Sequence, residues 1–379
     1  MGHDGVVDGE QARLRDHQSS VEAAEDAIVG TTGRAATPRL ARHVVTLPDG
    51  HQVSVAVAGR GVPFVVVHGF MAEGFTYAQT LSRLVALGYK VVAVDTASHG
   101  GTDVLPESEI DFDAYVDLFS RTLDHLGIRR AVLVGHSMGG RIVAELAAVE
   151  PERALALVLV DPILGHPWDR IVARARVFPP LLAWRGFLIG LDTLATIPVL
   201  ASRDQARKLL RLLAPSVFRI ARRPWRLFAP AVAIIRSGSS RVTLDALRRH
   251  GVPTMIVHGE RDLVVPLETA VDAAERAGGH LVVVHDATHS WLLKDPETLP
   301  AVVQVLSEGP LGAAHDRALH GAGLDPDTAT VAEIEAALMD PDALVRDLTP
   351  ELAFDVSEYE HRPPRFDFSP VGPLPPVAE

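Results

Sequence analysis

A serine between glycines is the residue of this chain that is best suited to nucleophilic chemistry. Ser137 lies within residues 135–139 (GHSMG), which fit the pattern G-x-S-x-G. This pattern is typical of a tight turn between a strand and a helix that holds a serine hydroxyl above a sheet. A serine hydroxyl is a weak nucleophile at neutral pH. It requires a base that takes its proton and a third group that orients the base.

Residues late in the chain could supply the base and the acid. His289 follows the apolar segment 280–285, and Asp262 follows the apolar segment 254–259. Both segments are predicted to be buried strands, and loops at the carboxyl ends of parallel strands are where ligands bind in an α/β sheet. Asp161 also follows a predicted strand and is the main alternative to Asp262 as the acid.

The segments around these residues alternate between strand and helix patterns. Four aliphatic residues lead into Gly135, and residues 141–148 form a helix-favouring segment with an apolar stripe. Segments 43–47 and 51–57 flank Pro-Asp-Gly, which predicts a hairpin at the start of the sheet. This alternation predicts an α/β fold with a mostly parallel sheet.

With these landmarks the sequence resembles the α/β-hydrolase superfamily over about residues 43 to 308. Residues 64–70 (FVVVHGF) resemble the third strand of that fold and its oxyanion turn. Residues 91–95 and 98–103 resemble the fourth strand and the loop after it. The resemblance implies an α/β-hydrolase fold, a mostly parallel central sheet flanked by helices, with an inserted helical cap. It points to the serine-nucleophile branch that includes esterases and lipases.

The resemblance also implies a role for each site residue. The chain order Ser137, Asp262, His289 is the nucleophile, acid and base order of these hydrolases. It favours Asp262 over the alternative aspartate, because the acid usually follows the later strand. The backbone N–H groups of Phe70 and Met138 are then expected to form the oxyanion hole.

The domain organisation follows from shifts in composition. Residues 1–42 are polar and are predicted to be a mobile leader. Residues 43–161 and 251–308 are predicted to form the hydrolase core. Residues 162–250 are predicted to form a basic helical cap, or lid, and residues 309–379 an acidic, proline-containing extension.

The predicted cap concentrates positive charge. Residues 162–250 hold 16 Lys and Arg against 4 Asp and Glu, in a chain of net charge −12. Arginines alternate with aromatic and aliphatic residues there, which suits a lipid surface, or an acyl-chain tunnel with an anionic group at its mouth. The alternative is a solvated basic face above apolar residues that pack on the core.

The extension has the opposite charge. Residues 308–379 hold 15 acidic and 4 basic residues, with several prolines near the end, and are expected to be disordered or loosely docked. One hypothesis is that this tail lies on the basic cap and controls access to the site. The alternative is an extension that only increases solubility.

Composition restricts the class of protein. The 379 residues, 47% hydrophobic, suffice for a large globular core, and the absence of cysteine excludes disulfides and thiol catalysis. Neither a signal peptide nor a transmembrane segment is predicted, so a cytoplasmic location is expected. Overall acidity and the lack of a binding module argue against nucleic acid as a partner.

These features predict a serine hydrolase that cleaves a carboxylic ester with an apolar acyl group through an acyl-enzyme. No metal and no organic cofactor is required, and the expected partner is a small apolar ester or thioester. A thioesterase, a carbon–carbon bond hydrolase and a cofactor-free haloperoxidase or perhydrolase remain alternatives on the same three residues. A ligand sensor or interaction protein on a hydrolase scaffold is the alternative of another class.

Overall fold

A nine-stranded sheet forms the centre of the protein in the computed structural model. The structure describes residues 40–106, 110–178, 180–196, 218, 222, 224–351 and 362–371. The strands are β1 Ala41–Thr46, β2 Gln52–Ala58, β3 Val62–Val67, β4 Tyr89–Val94, β5 Ala131–His136, β6 Ala154–Val160, β7 Thr254–Gly259, β8 His280–Val284 and β9 Phe368–Val371. Their order in the sheet is β1-β2-β4-β3-β5-β6-β7-β8-β9. The pairs β1–β2, β2–β4 and β8–β9 are antiparallel, and the other pairs are parallel.

Helices cover both faces of this sheet. They are α1 Ala78–Ala86, α2 Phe112–Leu126, α3 Met138–Val149, α4 His166–Val177, α5 Pro180–Thr196, α6 Phe228–Arg236, α7 Ser240–His250, α8 Leu267–Ala277, α9 Trp291–Lys294, α10 Thr298–Ser307, α11 Pro310–Gly321, α12 Val331–Leu338 and α13 Leu344–Asp347. Apolar residues of α2, α3, α7 and α8 join one core cluster. Those of α1, α10 and α11 join the cluster on the other face.

The strand sequences explain the two clusters. Successive side chains of a strand point to opposite faces, so Val65 and Val67 of β3 enter one cluster while Phe64 and Val66 enter the other. Continuous apolar runs of this kind are expected when helices cover both faces of a parallel sheet. The predicted fold class is confirmed.

The predicted hairpin is also present. Strands β1 and β2 pair from Ala41 opposite Val57 to Thr46 opposite Gln52. The turn between them contains Gly50 at a φ of 88°, a conformation that glycine adopts without a steric penalty. Residues 1–39 of the predicted mobile leader lie outside the described residues. Ala41 and Arg42, the last two residues of the predicted leader, already belong to β1, and Leu40 before them is buried.

The predicted cap is smaller than the range 162–250. Helices α4, α5 and α6 and the short 3-10 helix Pro224–Leu227 follow β6, as expected for an insertion. Helix α7 instead packs between α3 and α8 in the core layer, with Leu244 and Leu247 buried. Its basic residues are on its solvent face, which is why composition assigned it to the cap. Among the described residues, the structure contains no helix with the length and apolarity needed to cross a membrane.

The acidic extension is part of the folded core over residues 310–351. Leu311, Ala314 and Ala318 of α11 enter the apolar cluster beside α10. The carbonyl of Leu338 accepts hydrogen bonds from two backbone N–H groups just before β5. The expectation of a disordered or loosely docked tail is therefore wrong for these residues. The pairing of β9 with β8 and the packing of α11 attach the extension to the core sheet, so these contacts give no support to a tail lying on the cap.

A buried carboxylate anchors the extension. Glu335 of α12 accepts two hydrogen bonds of 2.8 Å from the guanidinium of Arg60 and one of 3.1 Å from the N–H of Gly61. Its Oε1 also lies 3.6 Å from Nζ of Lys90, which is buried. Burial lowers the pKa of Lys90 to about 8, and the Glu335 carboxylate limits that decrease.

We expect the variant Glu335→Ala to lower the free energy of unfolding by about 3 kcal/mol, because it leaves the buried Lys90 ammonium without its counter-charge. Denaturant unfolding monitored by circular dichroism measures this change. Asp342→Ala, which removes an exposed carboxylate from the same extension, is the matched control and is expected to change stability by less than about 0.5 kcal/mol. Equal, small effects of both variants would show that the extension is not anchored in this way.

Candidate active site

Ser137 lies at a strained turn between β5 and α3. Its φ of 52° and ψ of −114° are outside the regions that non-glycine residues usually adopt. A Cβ at Gly135 would overlap the backbone of Gly139, and a Cβ at Gly139 would overlap the carbonyl of Val67. The two glycines of the motif are therefore needed because backbone segments approach each other closely around the serine.

A continuous chain of hydrogen bonds joins Ser137 to the two residues predicted as its partners. Oγ of Ser137 donates to Nε2 of His289 at 3.0 Å, and Nδ1 of His289 donates to Oδ2 of Asp262 at 2.6 Å. The carboxylate can only accept, so it fixes the proton of the neutral imidazole on Nδ1 and leaves Nε2 free to accept. All three residues are buried, so these two hydrogen bonds are largely shielded from solvent.

The loop after β7 holds the Asp262 carboxylate in place. Its Oδ1 accepts hydrogen bonds from the backbone N–H groups of Val264 and Val265, both at 2.8 Å. Burial alone would raise the pKa of Asp262, but the imidazoles of His289 and His258 and the Val265 N–H hold it below the usual range. Asp262 is thus ionised and its second oxygen is free to bind the imidazole.

The charge of Asp262 also determines the basicity of His289. Burial opposes the charged imidazolium, but the Asp262 carboxylate outweighs burial and raises the pKa of His289 to about 9. A more basic imidazole is a stronger proton acceptor. It is also protonated, and so unable to act as a base, over much of the neutral range.

Asp161, the alternative acid, occupies a different position. Its Oδ1 accepts a hydrogen bond from the N–H of Gly259, and its Oδ2 accepts one from Nε1 of Trp291, both at 2.8 Å. Burial raises the pKa of Asp161 well above its usual range, and the nearby charge of Asp262 adds to the increase. The structure therefore brings Asp262, and not Asp161, to the hydrogen-bonding nitrogen of His289.

The residues predicted to form the oxyanion hole lie on two adjacent turns. Met138 is the first residue of α3, where backbone N–H groups have no acceptor within the helix. Phe70 follows Gly69, and a Cβ on Gly69 would lie 3.1 Å from Cβ of Ser137. The turn after β3 therefore comes directly against the serine.

Two buried histidines hold the turn that contains Phe70. Nδ1 of His68 donates to the carbonyl of Gly69 at 2.8 Å, and this carbonyl belongs to the same peptide group as the Phe70 N–H. On the other side, Nε2 of His99 accepts from the N–H of Met71 at 3.3 Å. Burial lowers the pKa of His99 to about 3, so that imidazole remains a neutral acceptor. Both histidines therefore fix the backbone of this turn.

His136 supports the catalytic histidine candidate from the other side. Its Nε2 donates to the backbone carbonyl of His289 at 3.2 Å, and its Nδ1 accepts from the hydroxyl of Tyr77 at 2.9 Å. Burial lowers the pKa of His136 to about 3, and the nearby charge of His289 contributes. A neutral His136 therefore fixes the loop that contains His289 without adding positive charge.

Two charged residues of helix α5 contact the site loops, and neither belongs to a sequence motif of the site. Nη1 of Arg185 donates to the carbonyls of Leu263 and Val264 at 2.8 and 2.9 Å. Oδ2 of Asp192 accepts from the N–H of Ser290 at 2.6 Å. In the sequence, each of these residues is an isolated charge within an otherwise apolar helix. That pattern indicates a contact but does not show which loop the charged side chain binds.

Two groups of buried side chains bring possible metal-ligating atoms within 4.8 Å of one another among the described residues. They are His136, Asp161 and His289, and Asp161, His258 and Asp262. The carboxylate oxygens of both groups already accept hydrogen bonds from backbone, indole or imidazole N–H groups. We therefore assign these groups to the hydrogen-bond network of the site.

Comparison with known proteins agrees with this architecture. A family model described as the alpha/beta hydrolase family matches residues 64–302, which is more than half of the chain. The chain belongs to the alpha/beta hydrolase family. This membership confirms the predicted superfamily and the prediction that the protein is an enzyme of the hydrolase class.

Relatives of this hydrolase carry different names. A protein of Mycobacterium phage D29, named as a candidate non-heme haloperoxidase, is 34% identical over 260 residues, covering 67% of this chain and 90% of the phage protein. A 2-hydroxymuconate semialdehyde hydrolase of a Pseudomonas species is 27% identical over 256 residues, covering 63% of this chain and 83% of the relative. The crystal structure of a bacterial membrane phospholipase A matches the fold with a TM-score of 0.57 and 22% identity, covering 81% of this chain and 95% of that chain. One fold therefore carries several chemistries, and family membership by itself does not identify the substrate.

Proposed function

We propose that this hydrolase is a serine esterase that cleaves a carboxylic ester with an apolar acyl group through a covalent acyl-enzyme. The observation that supports the proposal is the buried hydrogen-bonded chain from Ser137 through His289 to Asp262. It supplies a nucleophile, a base that can accept its proton, and a carboxylate that orients the base. We assign these three roles to Ser137, His289 and Asp262.

In the acylation step, Nε2 of His289 removes the hydroxyl proton as Oγ of Ser137 attacks the ester carbonyl carbon. The developing negative charge on the carbonyl oxygen is stabilised by the backbone N–H groups of Phe70 and Met138. The imidazolium is stabilised by the Asp262 carboxylate. When the intermediate collapses, the carbon–oxygen bond to the alcohol breaks and His289 donates its proton to the departing oxygen.

The second step returns the enzyme to its starting state. His289 removes a proton from a water molecule, and the resulting hydroxide adds to the acyl carbon. The bond to Oγ of Ser137 then breaks, and the proton held by His289 returns to that oxygen. The products are a carboxylic acid and the free enzyme, so the cycle requires no cofactor.

Apolar side chains near the site favour an apolar acyl group. Phe70, beside the proposed oxyanion hole, and Leu188 and Ile189 of α5 all pack against the same core cluster. An acyl chain between the turn of Phe70 and α5 would exchange water for aliphatic and aromatic contacts. The proposed partner is therefore a small apolar ester. The proposed location of the enzyme is the cytoplasm.

We expect kcat/KM for p-nitrophenyl esters to rise about fourfold with each added methylene of the acyl chain until the apolar surface is filled, because burying one methylene contributes about 0.8 kcal/mol. Steady-state kinetics on esters from acetate to decanoate measure this series. A flat series would contradict an apolar acyl site, and no turnover of any ester would contradict the esterase proposal.

The related haloperoxidase supplies a second candidate function. If hydrogen peroxide replaces water in the second step, the acyl-enzyme yields a peroxy acid, which can oxidise a halide. Adding peroxide and bromide to the ester assay and monitoring bromination of an organic acceptor tests this reaction. Acyl-coenzyme A substrates and a vinylogous 1,5-diketone in the same panel test the thioesterase and carbon–carbon hydrolase alternatives.

A further inference from the structure

Helix α5 has two different stripes, one that faces the site loops and one that is exposed. Its inner stripe consists of Arg185, Leu188, Ile189 and Asp192, whose spacing of three, four and seven residues places them on one side of a helix. Arg185 and Asp192 bond to the loops that follow Asp262 and His289, and Leu188 and Ile189 pack against the core. The inner stripe therefore accounts for how α5 is held above the site.

The outer stripe of α5 consists of Trp184, Phe187 and Leu191, also at helical spacing. These side chains are 56%, 53% and 46% exposed, and the rings of Trp184 and Phe187 lie 5.5 Å apart. The two charged residues of the α5 sequence, Arg185 and Asp192, both belong to the inner stripe. A helix on a protein surface normally presents polar residues to water, so an uncharged aromatic outer stripe indicates a binding surface.

The cap as a whole carries net positive charge and further exposed aromatic rings. The described residues between 162 and 239 include seven arginines, at 170, 174, 176, 185, 222, 226 and 236, and two aspartates, at 169 and 192. Both aspartates already accept hydrogen bonds, Asp169 from Ser240 and Asp192 from Ser290. Phe178, Trp225 and Phe228 are more than half exposed.

We propose that the outer stripe of α5 and the arginines of the cap dock the enzyme on the surface of an anionic lipid bilayer. Aromatic side chains enter the interface between head groups and acyl chains, while arginines pair with anionic head groups. A second copy of the chain is a less suitable occupant, because a symmetric interface would bring two arginine-rich caps of the same charge together.

Docking through α5 would place the bilayer at the helix that holds the site loops. The distance from the outer stripe to the inner one is a single helix width, about 10 Å. An apolar ester that enters from the lipid would then reach Ser137 without crossing bulk water. This consequence rests on the proposed esterase function, whereas the docking itself does not.

Flotation with vesicles tests the proposal on the full-length protein. We expect the wild type to bind vesicles of phosphatidylcholine mixed with phosphatidylglycerol at least about tenfold more strongly than vesicles of phosphatidylcholine alone. Raising NaCl from about 0.1 M to about 0.5 M should weaken the binding, because salt screens the attraction to the head groups. The double variant Arg170→Gln, Arg174→Gln should lose part of the preference for anionic vesicles.

Two double variants distinguish vesicle binding through the outer stripe from vesicle binding through any exposed apolar side chain. Trp184→Ser with Phe187→Ser should lower vesicle binding about tenfold or more. Val149→Ser with Val242→Ser removes two exposed apolar side chains outside the cap and should leave binding unchanged. Thermal unfolding of each variant, monitored by circular dichroism, establishes that it is folded.

Equal binding to neutral and anionic vesicles, or binding that the outer-stripe variant does not reduce, would overturn the proposal. A dimer in light scattering that the same variant converts to a monomer would also overturn it and identify a second copy as the occupant. Vesicle binding without ester hydrolysis would contradict only the proposed function. Hydrolysis without vesicle binding would contradict only the docking.

Discussion

Ser137→Ala is expected to lower kcat for ester hydrolysis by about a million-fold, because removal of the nucleophile in a hydrogen-bonded triad costs about as much as removal of the whole triad. The same variant should lose all labelling by a fluorophosphonate probe, which reacts only with an activated serine. Steady-state kinetics and gel fluorescence measure the two effects. The substitution removes only the hydroxyl that donates to His289, so the alanine variant should remain folded and still bind substrate.

Ser120→Ala is the matched control for this experiment. Ser120 is a buried serine of α2 whose hydroxyl donates to Glu150, which follows the end of α3 opposite to Ser137. Its alanine variant should label and turn over like the wild type. A wild-type protein that fails to react with the probe would favour the ligand-sensor alternative. Residual activity of Ser137→Ala above about one part in a thousand of the wild type would contradict a serine nucleophile.

Asp262→Asn is expected to lower kcat by about ten-thousand-fold, because an amide cannot fix the imidazole of His289 in the tautomer that accepts the serine proton. It also removes the charge that holds the pKa of His289 at about 9. In the wild type, kcat/KM should rise with pH up to about 9, as His289 loses its proton and becomes a base. In the variant, the residual activity should reach its plateau at lower pH.

Asp161→Asn is the comparison that distinguishes the two aspartates. Asp161 bonds to Gly259 and Trp291, and it influences the pKa of His289 only through its charge. We expect kcat to fall by at most about tenfold, because that influence acts without a hydrogen bond. If Asp161→Asn is inactive while Asp262→Asn is active, our choice of the acid is wrong. Measuring kcat/KM against pH for both variants separates loss of the acid from a general loss of folding.

Much of the site could be predicted because its signals are local. The glycines beside Ser137, the apolar strand before them and the turns after β7 and β8 are each readable within about ten residues. The order of the strands in the sheet brings the loops with Ser137, Asp262 and His289 to one edge. The structure joins these side chains by direct hydrogen bonds, as the assigned roles require.

The packing of the extension and the boundary of the cap could not be predicted, because amino-acid composition does not show which residues contact each other in the fold. Acidic residues and prolines indicated a loose tail, yet Glu335 is buried against Arg60 and Lys90, far away in the sequence. Helix α7 added three arginines to the apparent charge of the cap, although its apolar face packs in the core layer. In both segments, the charge of a residue does not show which side chains it contacts in the fold.

The sequence by itself determined the fold class, the alternation of its elements and the identity of the candidate nucleophile and base, since each depends on a short pattern of residue types. Only the tertiary structure decided between Asp262 and Asp161 as the partner of His289, because both follow a strand and their difference is a hydrogen bond. The same holds for α5, whose sequence places charged residues on one stripe and aromatic residues on the other without showing what either stripe contacts. Which stripe faces the site and which faces outward depends on long-range contacts with the loops of Val264 and Ser290.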